Sequence, residues 1–135
     1  MLTGRFAGRK AVVLRVFEEG TKERKFAHAL VAGIEKCPRK LKKSMTDAEK
    51  EKRMSVKPFV KYVNLQHVMP TRYNLDISEA LDKAVGDVDL ADVNAKKELK
   101  GELKTKLQER YKTLGQAKSE KTATGVKYFF KKLRF

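Results

Sequence analysis

Hydrophobic residues in the first half of the chain are concentrated in three short runs. The runs cover residues 11–17, 26–34 and 59–65, and they are rich in valine, alanine, leucine and phenylalanine. Glycine, proline or charged turn residues lie near their ends, and the third run alternates roughly between apolar and polar positions. Short apolar runs with these boundaries are typical of β-strands. The first half of the chain is therefore predicted to be β-structure.

Two short helices are predicted from the residues at their ends. One begins at Ser78, a good capping residue, and ends at Gly86. The other lies in a basic insertion, which we define as residues 38–57. There Thr46 and Glu49 have the spacing of a capping box, in which each side chain bonds to the backbone of the other residue. Because nothing apolar anchors this segment, either a charged helix or a turn is predicted.

The longest predicted helix runs from about residue 92 to residue 114. A leucine or tyrosine recurs at every fourth position and forms one apolar stripe: Leu99, Leu103, Leu107 and Tyr111. A stripe one residue wide is expected to be too narrow to bury a helix in a core. Most of this helix is therefore expected to face water or phosphate. The polar residues 116–126 beyond it are predicted to be extended.

The composition adds a strong excess of positive charge. The 135 residues include 32 Lys and Arg against 17 Asp and Glu, which gives a net charge of +15 and an isoelectric point near 10.0. Small soluble domains more often carry net charges of about 2–8. A basic chain with clustered Lys and Arg is typical of nucleic-acid-binding proteins. The alternative is a soluble protein with a solvated basic surface.

The positive charge lies at the two ends of the chain. Residues 1–53 have a net charge of +8, residues 54–95 of −2 and residues 96–135 of +9. This distribution predicts a binding surface that is split between the two ends.

The sequence lacks the residue patterns that are typical of catalytic and metal sites. His28 and His67 do not have metal-ligand spacing, and Cys37 has no neighbouring thiol. The segment GRFAGRK, residues 4–10, lacks the Ser or Thr that follows the lysine of a phosphate-binding loop, and a predicted strand follows it. We therefore expect no enzyme activity, no metal, no cofactor and no small-molecule substrate.

The chain also lacks the sequence features of a membrane or secreted protein. No run approaches the roughly 20 apolar residues that span a bilayer, so no membrane partner is expected. A single cysteine excludes an intrachain disulfide and fits a reducing compartment.

The segment GRFAGRK has a simpler use as a cation-presenting loop. Gly4 and Gly8 permit tight or left-handed turns, and the strand that follows would hold the loop rigidly. Arginine can bind phosphate with two parallel hydrogen bonds, and lysine adds a point charge. The loop is therefore predicted to present Arg5, Arg9 and Lys10 to phosphates.

The C-terminal residues mix aromatic rings with cations. Tyr128, Phe129, Phe130 and Phe135 alternate with Lys127, Lys131, Lys132 and Arg134. Two interpretations stay open. The rings can stack on unpaired bases while the cations follow the RNA backbone, or the phenylalanines can pack in the protein's own core.

Several of these stretches together resemble one protein family. They include GRFAGRKAVV from residue 4, HALVAGI from residue 28, MPTRY from residue 69 and FFKKLRF at the end of the chain. The chain resembles the eukaryotic large-ribosomal-subunit protein number twenty-seven family over nearly its entire length.

The resemblance implies an α+β protein built on an SH3-like β-barrel of the KOW type, with Gly8 at the KOW glycine. A basic α-helix and an extended C-terminal tail would follow the barrel. Family members usually carry a further strand before GRFAGRK, and Met1 stands in its place here. Two alternatives follow: the barrel lacks its first strand, or the recorded start is internal to the true one. The implied domains are residues 1–77, the barrel with its basic insertion at 38–57, and residues 78–135, a basic helical region with an RNA-binding tail.

The implied function is that of a structural constituent of the large (60S-type) ribosomal subunit that binds ribosomal RNA and supports translation. Its expected partners are ribosomal RNA and neighbouring large-subunit proteins. Its expected location is the cytoplasm, with assembly in the nucleolus. The alternatives are a KOW-domain transcription factor or RNA chaperone outside the ribosome, and a protein-interaction module for an acidic partner.

The predicted RNA contacts come from four parts of the chain. They are Arg5, Arg9, Lys10 and Arg15 near the first loop; Arg39, Lys40, Lys42 and Lys43 in the basic insertion; Arg72 in MPTRY; and Lys96, Lys100, Lys104, Arg110, Tyr128, Lys131, Lys132 and Arg134 in the second half.

Overall fold

The structure of the protein is a computed structural model, and its described residues form a β-sheet and four α-helices. The structure describes residues 1–86, 90, 92–113 and 120–133. In chain order, its described elements are β1 (Ala11–Phe17), β2 (His28–Lys36), α1 (Asp47–Met54), β3 (Lys57–Asn64), a single 3-10 turn (Leu65–His67), α2 (Ser78–Val85), α3 (Val93–Lys112) and α4 (Glu120–Phe130). The predicted α+β class is confirmed.

The three described strands form an open antiparallel sheet in the order β1-β2-β3. The central strand β2 is buried from His28 to Ile34, which explains why its sequence is continuously apolar rather than alternating. A register irregularity between Val13 and Arg15 interrupts the pairing of β1 with β2. The observed boundaries of β2 and β3 differ by one or two residues from the predicted ranges 26–34 and 59–65. The sequence pattern does not fix which residues at the ends of a strand are paired.

Each face of the sheet packs against a different hydrophobic cluster. Ala29, Val31 and Phe59 belong to a small cluster on one face, where Phe6 of the N-terminal loop joins them. Leu30 and Val60 belong to the main core on the other face. The main core also contains buried residues of the second half of the chain: Leu81, Val85, Leu99, Leu103, Leu107, Val126, Phe129 and Phe130. Residues from both predicted domains therefore share one core.

The apolar stripe of α3 is buried, and the expectation that it was too narrow is wrong. Leu99, Leu103 and Leu107 are each at most 3% exposed. In the main core they pack with residues of the sheet and of the other helices. Three leucines are therefore enough to bury one face of the helix. The rest of α3 is mostly exposed lysine and glutamate, as the sequence indicated.

Residues 120–130 are helical, so the predicted extended tail is wrong over this range. Residues 116–119 of the predicted extended segment lie outside the described residues. Val126, Phe129 and Phe130 have i, i+3, i+4 spacing, so a helix places them on one face. All three are at most 6% exposed in the main core. For Phe129 and Phe130, packing in the protein's own core is therefore the correct alternative.

The predicted end signals of the short helices have different outcomes. The capping box of α1 is present, with Thr46 accepting from the Glu49 N–H and Glu49 accepting from the Thr46 N–H. Gly86 ends α2 with a φ of 49°, as predicted. Ser78 is the first residue of α2 rather than its cap, because Ile77 holds the N-cap position and makes no side-chain capping bond. Within the described residues, no helix is both long and apolar enough to cross a membrane.

Candidate nucleic-acid interface

The N-terminal loop, residues 1–10, is anchored by one aromatic residue and presents arginine to solvent. Phe6 stacks on Phe59 with ring centroids 3.9 Å apart and an interplanar angle of 4°. Gly4 and Gly8 have φ values of 77° and 69°, which confirms the predicted left-handed turns. Arg5, next to the anchor, keeps 75% of its side chain exposed. The loop therefore has a fixed base and an accessible guanidinium group.

Glu35 lies between the N-terminal loop and the basic insertion. Its carboxylate is 3.0 Å from Lys57 Nζ and 3.6 Å from the Arg5 guanidinium. The hydrogen bond from Lys57, together with the nearby charges of Lys57, Arg5 and Arg9, holds the pKa of this carboxyl below its usual range. One carboxylate thus fixes cations from two separate segments close to each other.

Lys10 is turned toward the protein rather than toward solvent. Its Nζ donates hydrogen bonds to the carbonyl oxygens of Tyr128 at 2.5 Å and of Lys131 at 2.6 Å. The same ammonium lies 3.6 Å from the centroid of the Tyr128 ring. Burial lowers the pKa of Lys10. Lys10 therefore fastens the N-terminal loop to the end of α4, where a cation also complements the helix dipole.

The two basic ends of the chain meet in the fold, so a binding surface drawn from both ends can be continuous at this place. Arg9 and Lys10 line one small cavity together with Lys131 and Lys132. Their shared location follows from the docking of α4 beside the first loop, which places two cationic segments on one part of the surface.

Cys37 lies at the same cavity. Burial raises the pKa of the Cys37 thiol, although the charges of Lys10 and Arg9 act in the opposite direction. A protonated thiol is a poor nucleophile, so the surrounding cations do not make this cysteine reactive.

Apart from Val56, which is buried in the main core, most of the basic insertion is exposed, and we call it the arm. Helix α1 buries none of its residues. The Arg39 N–H donates to the Arg53 carbonyl at 2.9 Å, and the Arg53 guanidinium donates to the Lys40 carbonyl at 3.3 Å. These bonds tie the start of the insertion to the end of α1. The predicted contact residues of this arm are all exposed: Arg39, Lys40, Lys42 and Lys43.

Besides Arg5, which lies near Glu35, two of the predicted arginine contacts are paired with carboxylates. Arg15 on β1 donates to Asp82 on α2 at 2.9 Å. Arg110 on α3 donates to both carboxylate oxygens of Asp76, at 3.1 and 2.8 Å, and its side chain is only 10% exposed. These pairs connect elements across the fold and neutralise part of the charge that the sequence assigned to RNA.

The remaining predicted cations differ in their exposure. Lys96 is half-buried and donates to the Leu90 carbonyl at 3.4 Å. Arg72 is exposed beside the Tyr73 ring, and its guanidinium carbon lies 5.3 Å from the ring centroid. Arg134 and the ring of Phe135 lie outside the described residues. The other four members of this group are exposed: Lys100, Lys104, Lys131 and Lys132.

Tyr128 is engaged by other parts of the protein. Its ring stacks on Tyr73 with centroids 4.3 Å apart, and it also carries the ammonium of Lys10. The structure therefore brings together Tyr73 from MPTRY, Lys10 from GRFAGRK and Tyr128 from the C-terminal stretch. Three motifs that are far apart in sequence meet at one place.

A second cavity was missed by the sequence analysis, and we name it the Phe26 cavity. It has a volume of about 230 Å³, and its lining includes Arg24, Phe26, His28, Lys61 and Tyr62. The segments that line it are far apart in sequence and meet through the pairing of β2 with β3. The nearest sequence signal is the cation–aromatic order of residues 24–26 and 61–62, which is too short to be specific.

The wall of the Phe26 cavity contains a buried histidine. His28 is 1% exposed, and its Nδ1 lies 2.8 Å from the Phe26 carbonyl oxygen. Because a carbonyl only accepts, Nδ1 carries the proton of this bond. Within the described residues, Nε2 of His28 is the one buried side-chain nitrogen or oxygen without a hydrogen-bond partner. The described part of the chain contains no group of three His, Cys, Asp or Glu residues that could hold a metal ion.

Comparisons with known proteins extend the resemblance to the full chain. The model of the ribosomal L27e protein family matches residues 1–135. Large ribosomal subunit protein eL27 of Tetrahymena thermophila is 49% identical over 136 residues, and the alignment covers 100% of this chain and 92% of that protein. The matched region includes the N-terminal loop, the basic insertion and the C-terminal helix.

Proposed function

Because the chain belongs to the ribosomal L27e protein family, we propose that it holds ribosomal RNA through the exposed cations of its loop, arm, long helix and C-terminal end. The protein is a structural constituent of the large ribosomal subunit and supports translation as a component of the ribosome, in the cytoplasm, rather than as an enzyme. Its partners are ribosomal RNA and other ribosomal proteins. Assembly in the nucleolus is part of the proposal.

The exposed arm and loop carry this proposal. Arg5 is 75% exposed, and four further cations lie exposed on an insertion whose helix buries nothing. Side chains that are free of the core can approach phosphates without disturbing the fold, and Arg adds bidentate geometry. The exposed contact residues we propose are Arg5, Arg39, Lys40, Lys42, Lys43, Arg72, Lys100, Lys104, Lys131 and Lys132. The half-buried Arg9 and Lys96, and Arg134 outside the described residues, complete the proposed set.

Lys10, Arg15, Arg110 and Tyr128 have a different place in the proposal. Each is held by other protein groups in the described structure. We propose that they position the loop, strand and helices that carry the contact residues, and that any phosphate contact they make is secondary.

The fold proposal is an SH3-like domain of the KOW type. A small antiparallel sheet with a helix-bearing insertion between β2 and β3 is compatible with that assignment. Gly8 has a φ of 69°, a conformation that suits glycine at the tight turn. We place the KOW glycine at this residue.

Sedimentation of cell extracts tests the proposal. The protein is expected to co-migrate with large ribosomal subunits, to resist moderate salt washing, and to be released by ribonuclease. Substitution of all four arm cations with alanine should weaken its retention during salt washing. Retention after ribonuclease treatment would instead support a protein-interaction module for an acidic partner, for which the family assignment gives no support.

A further inference from the structure

The Phe26 cavity combines an exposed aromatic ring with cations at its rim. Phe26 keeps 47% of its surface exposed. The Arg24 guanidinium carbon lies 4.5 Å from the centroid of the Tyr62 ring, and Arg24 also forms an exposed pair with Glu23 at 3.2 Å. Exposed ion pairs of this kind are weak, so Arg24 can still bind a phosphate despite its pair with Glu23.

The second cation of the cavity comes from the middle of β3. Lys61 is exposed, and its Nζ lies 3.8 Å from the position that a Cβ on Gly4 would take. The ammonium is therefore placed beside the N-terminal loop, at the rim of the cavity. Phe26 lies two residues before β2 and Lys61 lies in β3, and the pairing of these two strands brings the segments together.

This arrangement matches the chemistry of an unpaired nucleotide. An aromatic ring provides a stacking surface for a base, while adjacent Lys and Arg neutralise its phosphate. Paired bases in an A-form helix do not offer their faces for stacking, so a duplex would leave Phe26 unused. Drug-sized ligands occupy pockets of about 300–1,000 Å³, and a cavity of about 230 Å³ is of the right order for a single base.

We propose that the Phe26 cavity binds one unpaired nucleotide of RNA, with its base against Phe26 and its phosphate near Lys61 and Arg24. This inference rests on the proposed function and makes it more specific, because it adds recognition of a single unpaired residue to contacts with phosphates. The unpartnered Nε2 of His28 adds a polar atom to the wall, but the atom is covered, so stacking and charge carry the proposal.

The absence of tryptophan from the sequence allows a direct test. Phe26→Trp in the full chain introduces a single tryptophan at the cavity, and Val93→Trp introduces a matched one at an exposed site, 77% exposed at the start of α3. The probes are two RNA hairpins that differ by one bulged adenosine. We expect the bulged hairpin to quench the emission of Phe26→Trp and to leave Val93→Trp unchanged. Equal quenching of both variants, or quenching of Phe26→Trp by both hairpins, would overturn the proposal.

Binding constants supply the second readout. The unsubstituted protein should bind the bulged hairpin about tenfold more tightly than the paired one. Phe26→Ala and Lys61→Ala should each reduce this ratio toward one, while Lys83→Ala on α2 serves as a matched lysine control and should preserve it. Circular dichroism checks that each variant is folded.

The remaining outcomes separate this inference from the proposed function. Equal and tight binding of both hairpins by the unsubstituted protein would reject the nucleotide site and leave the phosphate contacts intact. Failure to bind either hairpin in dilute salt would reject RNA binding itself. Tight binding of free adenosine monophosphate without any preference for the bulge would also overturn the proposal, because the site would then recognise a free nucleotide.

Discussion

At the scale of single residues, the neighbours of Lys10 change the role that its charge suggests. Its ammonium donates to two carbonyl oxygens at the end of α4 and lies over Tyr128. We expect Lys10→Met to lower the free energy of unfolding by about 1–2 kcal/mol, since it removes two charge-assisted hydrogen bonds and a cation–π contact. Chemical denaturation monitored by circular dichroism measures this change.

Lys132→Met is the matched control for Lys10→Met. Lys132 is exposed at the same small cavity, so its loss should change the free energy of unfolding by less than about 0.5 kcal/mol and should weaken RNA binding instead. A Lys10→Met protein that unfolds like the unsubstituted one and loses only RNA affinity would show that Lys10 is a direct phosphate contact.

The contribution of Glu35 to the stability of the protein should depend on pH. Its folded-state pKa is depressed mainly by the hydrogen bond from Lys57, so its contribution to stability is present above the unfolded-state pKa of about 4.3 and is lost as the pH falls through the lower folded-state value. Glu35→Gln should therefore cost about 0.5 kcal/mol at pH 7 and less at pH 3, where the carboxyl is more protonated. Thermal unfolding at both pH values measures the difference.

Glu102, exposed on α3, offers a comparison for Glu35. The variant Glu102→Gln should show a smaller difference between pH 7 and pH 3. If Glu35→Gln is equally destabilising at both pH values, the carboxylate charge is not what joins Arg5 and Lys57.

At the scale of elements, two glycines in helices distinguish helix propensity from packing. Nothing lies within 4 Å of a Cβ built on Gly101 of α3, whereas a Cβ on Gly125 of α4 would collide with the backbone carbonyl oxygen of Asn74. Gly101→Ala should stabilise the protein by about 1 kcal/mol through helix propensity. Gly125→Ala should destabilise it by about 1–3 kcal/mol, because α4 must move away from the segment before α2. Thermal unfolding of the two variants compares them directly.

Each variant of this pair controls for the other, since the same methyl group is added to a helix in both. Equal stabilisation by the two substitutions would mean that α4 does not pack against Asn74. The contact also explains why the sequence did not predict α4. Thr124 and Gly125 are poor helix formers, and the reason for the glycine lies on a different element.

Local signals predicted the elements that depend on local chemistry. The β-branched runs indicated the three strands, the Thr46 capping box indicated α1, and Gly86 marked the end of α2. Features that arise from tertiary contacts were not predictable in this way. The burial of the α3 stripe needs the sheet and the other helices, and the Phe26 cavity exists only because β3 places Lys61 and Tyr62 beside the segment that leads into β2.

At the scale of the whole molecule, the fold brings together charges that the sequence keeps apart. Arg9 and Lys10 line a cavity with Lys131 and Lys132, and Glu35 links Arg5 to the start of β3. The core absorbs almost none of the net charge of +15, since within the described residues His28 is the one polar side chain counted as buried. Most of the charge therefore lies at the surface, where it can meet a polyanion, while cations such as Lys10 and Arg110 are held by other protein groups.

A surface of this kind should give a steep dependence of RNA affinity on salt. If about ten phosphates are neutralised, a plot of log affinity against log salt should have a slope near −7 to −9.

Replacement of Arg39, Lys40, Lys42 and Lys43 with alanine should reduce the slope by about 3–4. These side chains belong to an arm whose helix buries nothing, so the fold should tolerate their loss. Lys10→Met should leave the slope nearly unchanged, because Lys10 faces the protein. Titrations between roughly 50 and 300 mM salt measure all three slopes, because affinity for nucleic acid falls strongly over about this range. A flat response in the unsubstituted protein, or an unchanged slope without the four arm cations, would contradict phosphate binding by this surface.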